Sequence, residues 1–172
     1  MNYFDNIVGT EHNVAESSKL RATHPGGGHI YSVKLDKDRD NGTIISKGSY
    51  VAADVYNAAD YTSGQMLLLL TPPLAYNTAM KDYSAEKYFY NAKDEVGRAY
   101  EVFAGDVFTV SAKGFSTVPD GTKVYASWDA TNQKYVAQAN KAAVAGTSPA
   151  AQFSVIETVN YQNSVSYRLE LL

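Results

Sequence analysis

The sequence predicts an all-β protein, mainly an antiparallel barrel or sandwich, with at most one short helix and an extended N-terminal arm. Three observations lead to this fold class. Many short segments alternate apolar and polar residues, which is typical of half-buried strands. Gly, Pro, Asn and Asp separate these segments at short intervals. The sequence predicts about ten strands and one helical segment, a ratio that disfavours a parallel α/β fold.

Residues 1–28 differ in composition from the rest and are predicted to form a flexible N-terminal arm. They show no sustained period and end in three successive glycines, which favour flexibility because glycine loses the most conformational entropy on folding. A purely solvating tail is usually poorer in large apolar residues than this segment is. We therefore expect the arm to dock on a partner through four side chains: Tyr3, Phe4, Ile7 and Val8.

Residues 29–172 are predicted to form the antiparallel β domain, and a subdivision near residue 114 is left open. The first half carries predicted strands over residues 31–35, 43–46, 49–56 and 65–70. In the first of these strands, Tyr31, Val33 and Leu35 share one side, because successive side chains of a strand point to opposite faces.

Local signals mark one turn and one helix in the middle of the chain. The pair Asn41-Gly42 suits the positive φ values of a tight turn. The helix is predicted over residues 84–95, where Ser84 can cap the first turn and Glu86 interacts favourably with its dipole. Aromatic residues in this segment also favour strands, so a strand is the alternative.

The second half carries predicted strands over residues 98–103, 107–111, 123–128, 134–138, 153–160 and 165–172. The last strand has the clearest alternation, with Ser166, Arg168 and Glu170 on its polar face. Its predicted inward face consists of Val165, Tyr167, Leu169 and Leu171. We expect this strand to be paired within a sheet.

The composition argues against several classes of function. The chain contains no Cys, which excludes disulfide scaffolds, Cys-based zinc sites, iron–sulfur ligation and thiol nucleophiles. With 15 Lys and Arg against 18 Asp and Glu, it lacks the broad positive field that duplex nucleic acid requires. Its longest apolar run, residues 66–70, is far shorter than the about 20 residues of a membrane helix. We expect neither a nucleic-acid nor a membrane partner.

No motif predicts a metal, a cofactor or a catalytic residue. Asp36, Asp38 and Asp40 invite a calcium loop, but Asn41 and Lys47 occupy the places where the EF-hand pattern needs Gly and Glu. The three histidines do not complete a zinc ligand set. A Gly-x-Ser-x-Gly elbow and a serine paired with a base are both lacking. We expect a cofactor-free protein that is not an enzyme.

The 14 tyrosines are the most unusual feature of the composition. Tyrosine combines a large apolar ring with a polar tip, which suits interfaces and platforms for sugar stacking. In a β protein many tyrosines instead pack in the core or against cross-strand neighbours. The interface candidates near the predicted helix are Tyr83, Tyr88 and Tyr90, and the core alternative stays open.

Several stretches resemble small structural proteins of tailed bacteriophages. They are residues 29–35 (HIYSVKL), 40–42 (DNG), 88–94 (YFYNAKD), 98–101 (RAYE) and 105–111 (GDVFTVS). These look like the auxiliary head proteins encoded next to a major capsid protein, and the similarity covers about residues 29–115. This non-enzymatic family implies a decoration or cement protein on the outside of the virion capsid, synthesised in the host cytoplasm. The implied partner is the major capsid protein. Contact with copies of itself, as a trimer or as lattice neighbours, stays open, and a monomer bound to the lattice fits equally well.

Two other classes of function stay open. A carbohydrate- or receptor-binding module on a phage or cell surface would use Trp128 and exposed tyrosines as a stacking platform, whereas a structural role would place the indole in the core. A hydrolase rests on no motif. It would gain support from a cleft that holds two facing carboxylates with raised pKa.

Overall fold

Two β-sheets make up the part of the chain that the computed structural model describes, residues 10–26, 28–73, 86–141, 146–149 and 151–172. The predicted all-β fold class is confirmed, because no helix within these ranges reaches seven residues. The strands are β1 (Ala15–Lys19), β2 (Ile30–Lys34), β3 (Ile44–Ala52), β4 (Val55–Asp60), β5 (Leu67–Leu69), β6 (Val96–Glu101), β7 (Val107–Ser111), β8 (Phe115–Thr117), β9 (Tyr125–Asp129), β10 (Lys134–Gln138), β11 (Gln152–Tyr161) and β12 (Ser164–Leu171).

Five strands close into a barrel in the order β2-β4-β3-β5-β6. The β2 strand closes it, pairing antiparallel with β6 and parallel with β4. The predicted face of β2 is confirmed, since Val33 and Leu35 are buried in the barrel interior and Tyr31 packs against them. The other residues of this interior are Ile45, Ala58, Leu67, Leu69 and Ala99.

The remaining seven strands form one sheet in the order β1-β7-β12-β11-β9-β10-β8. All neighbours are antiparallel except β10 and β8. In β12 the predicted inward face holds for Tyr167, Leu169 and Leu171, which are buried. Val165 is 54% exposed, because it lies near the tip of the long β11–β12 hairpin, while Ser166 is buried.

A second core lies between the barrel and the seven-stranded sheet, and β3 and β5 serve both cores. Alternation along these strands places Ile44 and Leu68 towards the sheet, and Ile45 and Leu67 inside the barrel. Burial on both faces explains why residues 66–70 form an unbroken apolar run. The sheet contributes an aromatic cluster: Phe108, Phe115, Trp128, Tyr135, Phe153 and Tyr167.

The predicted N-terminal arm needs a correction at its boundary. Residues 1–9, with the four apolar candidates, lie outside the described residues, but residues 10–26 belong to the folded body. The β1 strand pairs with β7, and Val14, Leu20 and Ala22 are buried. The polar composition of β1 conceals this role. An edge strand forms hydrogen bonds to a neighbour along one side only and buries only one of its faces, so it needs few apolar residues.

One further expectation, the helix, is corrected in the middle of the chain. The predicted helix over residues 84–95 is wrong: the described part contains a 3₁₀ turn, Glu86–Tyr88, followed by a bridge between Asn91 and Arg39. The backbone groups of Asn91 bond to Arg39 and therefore cannot form a helical ladder. Near residue 114 the sheet does not change, since β7 before it and β8 after it belong to the same sheet.

Within the described ranges, none of the helical turns has the length or apolar character that a membrane crossing requires.

Candidate functional site

An ion-pair network around the buried Arg39 fixes the loop between β2 and β3. The Arg39 side chain is fully buried, and its Nη2 lies 2.8 Å from Asp36 and 2.9 Å from Asp60. Burial alone would raise the pKa of Asp60, but hydrogen bonds from Lys37 and Arg39 outweigh it and hold that pKa below its ordinary value. The network joins the loop to the end of β4, so its role is structural.

The three aspartates of the suspected calcium loop face different partners. The carboxylate of Asp36 accepts hydrogen bonds from the buried guanidinium, and that of Asp38 accepts one from the Lys93 backbone N–H. Asp40 lies 2.8 Å from Nδ1 of His12. Across the described ranges, no three His, Cys, Asp or Glu side chains are placed to hold a metal ion together.

The predicted site residues are dispersed over the molecule. Tyr88 is half-buried beside the Lys87 ammonium, and the half-buried Tyr90 ring lies 4.9 Å from the His12 ring. Five predicted contact residues lie outside the described residues: Tyr3, Phe4, Ile7, Val8 and Tyr83.

Trp128 lies in the core between the two sheets, which corrects its proposed role in a glycan platform. Its side chain is only 1% exposed, and its ring packs edge-on against Tyr135 at 4.9 Å. The hydroxyl of Tyr135 donates a 2.8 Å hydrogen bond to the carbonyl of Gly42. The indole therefore stabilises the junction between sheet and barrel and presents no face to a ligand.

One end of the barrel gathers side chains that the sequence analysis did not bring together. Each of these side chains lies on the same face of its strand as the residues of the barrel interior and just beyond them, as Tyr31 does beyond Val33. We define the barrel mouth by these five residues: Tyr31, Lys47, Tyr56, Gln65 and Glu101. The alternation of each strand already indicated which of its residues face the barrel interior. Only the closure of the barrel shows that these five residues meet at the same end.

The barrel mouth is held together by aromatic and polar contacts. The rings of Tyr31 and Tyr56 meet edge to face at 6.0 Å, and the Lys47 ammonium lies 4.4 and 4.8 Å from their centroids. The hydroxyl of Tyr31 donates to the Glu101 carboxylate at 3.4 Å and accepts from Gln65 at 3.1 Å. These contacts fix an aromatic surface that also carries one positive and one negative charge.

A strongly exposed tyrosine extends this surface outwards. Tyr50 is 59% exposed and packs edge-on against Tyr56 at 5.7 Å, directly opposite it in the β3–β4 pair. Its neighbour Val51 is 45% exposed. Mouths of β-barrels are frequent places for binding, so this end of the barrel is the best candidate for contact with a partner.

A separate cleft of about 280 Å³ lies between β1 and β6, and two carboxylates line it. They belong to Glu16 and Glu86. Burial raises the pKa of Glu86 to about 7, hydrogen bonds from Asn41 and Gln162 oppose this rise, and the negative charge of Glu16 adds to it. Tyr161 also lines the cleft. The cleft thus brings together two carboxylates, the kind of pairing named above as support for a hydrolase, and of the two the pKa of Glu86 is raised.

Comparison with known proteins adds no relationship: no family model matches the chain, and no match was found among curated proteins or solved structures.

Proposed function

We propose that the chain is a structural virion protein that binds the outside of a tailed-bacteriophage capsid and decorates or stabilises it. The resemblance of residues 29–115 to auxiliary head proteins motivates this proposal. The structural observation that supports it is the exposed Tyr50 at the mouth of a closed β-barrel. In this proposal the protein acts by adhesion and catalyses no reaction.

The barrel mouth has the chemistry of a protein interface. Tyrosine buries a large area at a low cost in side-chain entropy and is enriched in interface cores. The contacts of Tyr56 with both Tyr31 and Tyr50 hold the rings in place before a partner arrives, which lowers the ordering cost of binding. The Lys47 ammonium would attract a carboxylate of the capsid subunit.

A second contact would come from the N-terminal segment. Residues 1–9 lie outside the described residues, and they precede a strand at the edge of the seven-stranded sheet. Two contacts on one protein, repeated over a symmetric shell, gain strength through multivalency even when each is weak. The proposed contact residues of this segment are Tyr3, Phe4, Ile7 and Val8.

The decisive experiment is co-sedimentation of the purified protein with bare phage heads. Tyr50→Ser should weaken binding at least about tenfold, the effect of losing an interface anchor. Ile156→Ser is the matched control, since Ile156 is 49% exposed on β11, in the other sheet. Circular dichroism checks that both variants fold. Equal binding by the two variants would contradict the role of the barrel mouth, and no binding by the wild type would contradict the proposed function.

A carbohydrate- or receptor-binding module is the second candidate function. Trp128 cannot supply its platform, but the cleft between β1 and β6 offers a different place for a sugar. Glycan binding by a protein that adds to no phage head would favour this candidate over a capsid role.

A further inference from the structure

We propose that the cleft between β1 and β6 binds one neutral sugar residue of a glycan. This site lies apart from the barrel mouth, and the inference does not rest on the proposed capsid role. It also differs from the platform expected from the sequence, because it uses a cleft between two sheets in place of an exposed indole.

The dimensions and walls of the cleft suit a single sugar ring. Its volume of about 280 Å³ lies just below the roughly 300–1,000 Å³ typical of sites for drug-sized molecules, as suits one small ring. The exposed Pro72 provides apolar surface, and Tyr100 and Tyr161 line the cleft from β6 and β11. A sugar ring presents apolar C–H groups on its faces, and apolar and aromatic side chains are suitable partners for them.

The polar groups of the cleft are mixed in charge, which favours a neutral ligand. The carboxylates of Glu16 and Glu86 accept hydrogen bonds, and the guanidinium of Arg98 donates them. An anion would be repelled by the Glu16 carboxylate, and a cation by the Arg98 guanidinium. Sugar hydroxyls both donate and accept, so they can satisfy both kinds of group.

Arg98 is available to a ligand. The residue is exposed, and its guanidinium forms no ion pair with any residue in the described ranges. Its backbone N–H donates to Thr71 Oγ1 at 3.0 Å, which fixes the strand but leaves the side chain free to reach the cleft.

Glu86 is held in position before a ligand arrives. Gln162 at the tip of the β11–β12 hairpin donates a 2.9 Å hydrogen bond to its carboxylate. Because the pKa of Glu86 is about 7, its carboxyl group populates both protonation states near neutral pH and can accept or donate a hydrogen bond to a hydroxyl.

Saturation-transfer NMR on the full chain tests this site. The probes are methyl glycosides of the common hexoses and N-acetylhexosamines at millimolar concentration. At least one probe should receive saturation from the wild-type protein, and its affinity should fall about tenfold in Glu86→Gln and in Arg98→Gln. The matched control is Glu170→Gln, which changes a carboxylate on β12 outside the cleft and should alter affinity less than twofold.

Two results would overturn the inference. One is the absence of saturation transfer to every probe. The other is a binding signal that survives unchanged in both cleft variants. Arg98 is exposed, so Arg98→Gln should fold, and thermal melting monitors this. Co-sedimentation of the same variant with phage heads should be unchanged, which separates failure at the cleft from failure of the capsid role.

Discussion

Replacing Gly42 by alanine should strongly destabilise the protein, because this glycine is confined at the junction of the barrel and the sheet. Its φ is +84°, a left-handed conformation that side chains other than glycine rarely adopt. A Cβ atom there would lie 2.6 Å from Asn13 Nδ2, 2.7 Å from Val110 Cγ1 and 2.9 Å from Ala15 Cβ. These three groups belong to the segment around β1 and to β7, so the turn contacts the sheet directly.

The expected cost combines a conformational and a steric contribution. The left-handed backbone costs alanine about 1–2 kcal/mol, and overpacking adds about 1–3 kcal/mol, for a total of about 2–5 kcal/mol. Gly105→Ala is the matched control, since Gly105 has φ +86° and a Cβ atom added to it would meet no heavy atom within 4 Å. The control should therefore lose only the conformational part, about 1–2 kcal/mol.

Urea denaturation measures the two losses of unfolding free energy. The single, buried Trp128 supplies the fluorescence signal. For a chain of this size each kcal/mol corresponds to a fall in Tm of about 2–4 °C, so thermal melting gives an independent check. If Gly42→Ala is no less stable than Gly105→Ala, the close contact between this turn and the sheet is refuted.

Three further predictions concern hydrogen bonding and pH. Tyr135→Phe should cost about 1–3 kcal/mol in urea denaturation, because it removes the buried donor to the Gly42 carbonyl. Asp60 has a lowered pKa, so its carboxylate stabilises the fold above pH 3.8, its ordinary pKa, and this stabilisation is lost as pH falls through the folded-state pKa. Acid titration of Asp60→Asn should not show this loss of stability. Burial raises the pKa of Glu86, so its contribution to stability is fully present below pH 4.5 and is lost as pH rises through about 7. Glu86→Gln should flatten this decline, whereas an unchanged pH profile would show that burial in the cleft does not raise the pKa of Glu86.

Strand alternation was a reliable guide wherever one face of a strand is buried. It predicted the inward side of β2 and three of the four inward residues of β12. The Asn41-Gly42 pair predicted a turn independently of alternation, and Gly42 has a positive φ. In these elements the local pattern and the final packing agree wherever one face contacts core and the other solvent, and Val165 and Ser166 near the hairpin tip are the exceptions.

The elements that were missed depend on contacts distant in sequence. The β1 strand is polar and is recruited by β7, whose residues lie more than 80 positions later. The segment after Glu86 has helical signals, but Asn91 bonds to Arg39 instead. Such long-range pairing overrides local propensity, and a single sequence does not display it.

The sequence could predict the type of candidate site but not its location. The abundance of tyrosine indicated an interface, but it favoured residues near position 90 over those at the barrel mouth. Tyr31 and Tyr56 become neighbours because two parallel strands, β2 and β4, lie side by side in the closed barrel. Trp128 could not be assigned to core or surface until its neighbours in the sheet were known.

The order of strands in the larger sheet constrains how the protein can fold during synthesis. The barrel uses only residues 30–101, so it can assemble early on the ribosome. By contrast, β12 lies between β7 and β11, and its absence leaves the β1-β7 pair separated from the other four strands. Until residue 171 has emerged, the nascent chain exposes two unfinished sheet edges, a hazard for aggregation that chaperones would have to suppress.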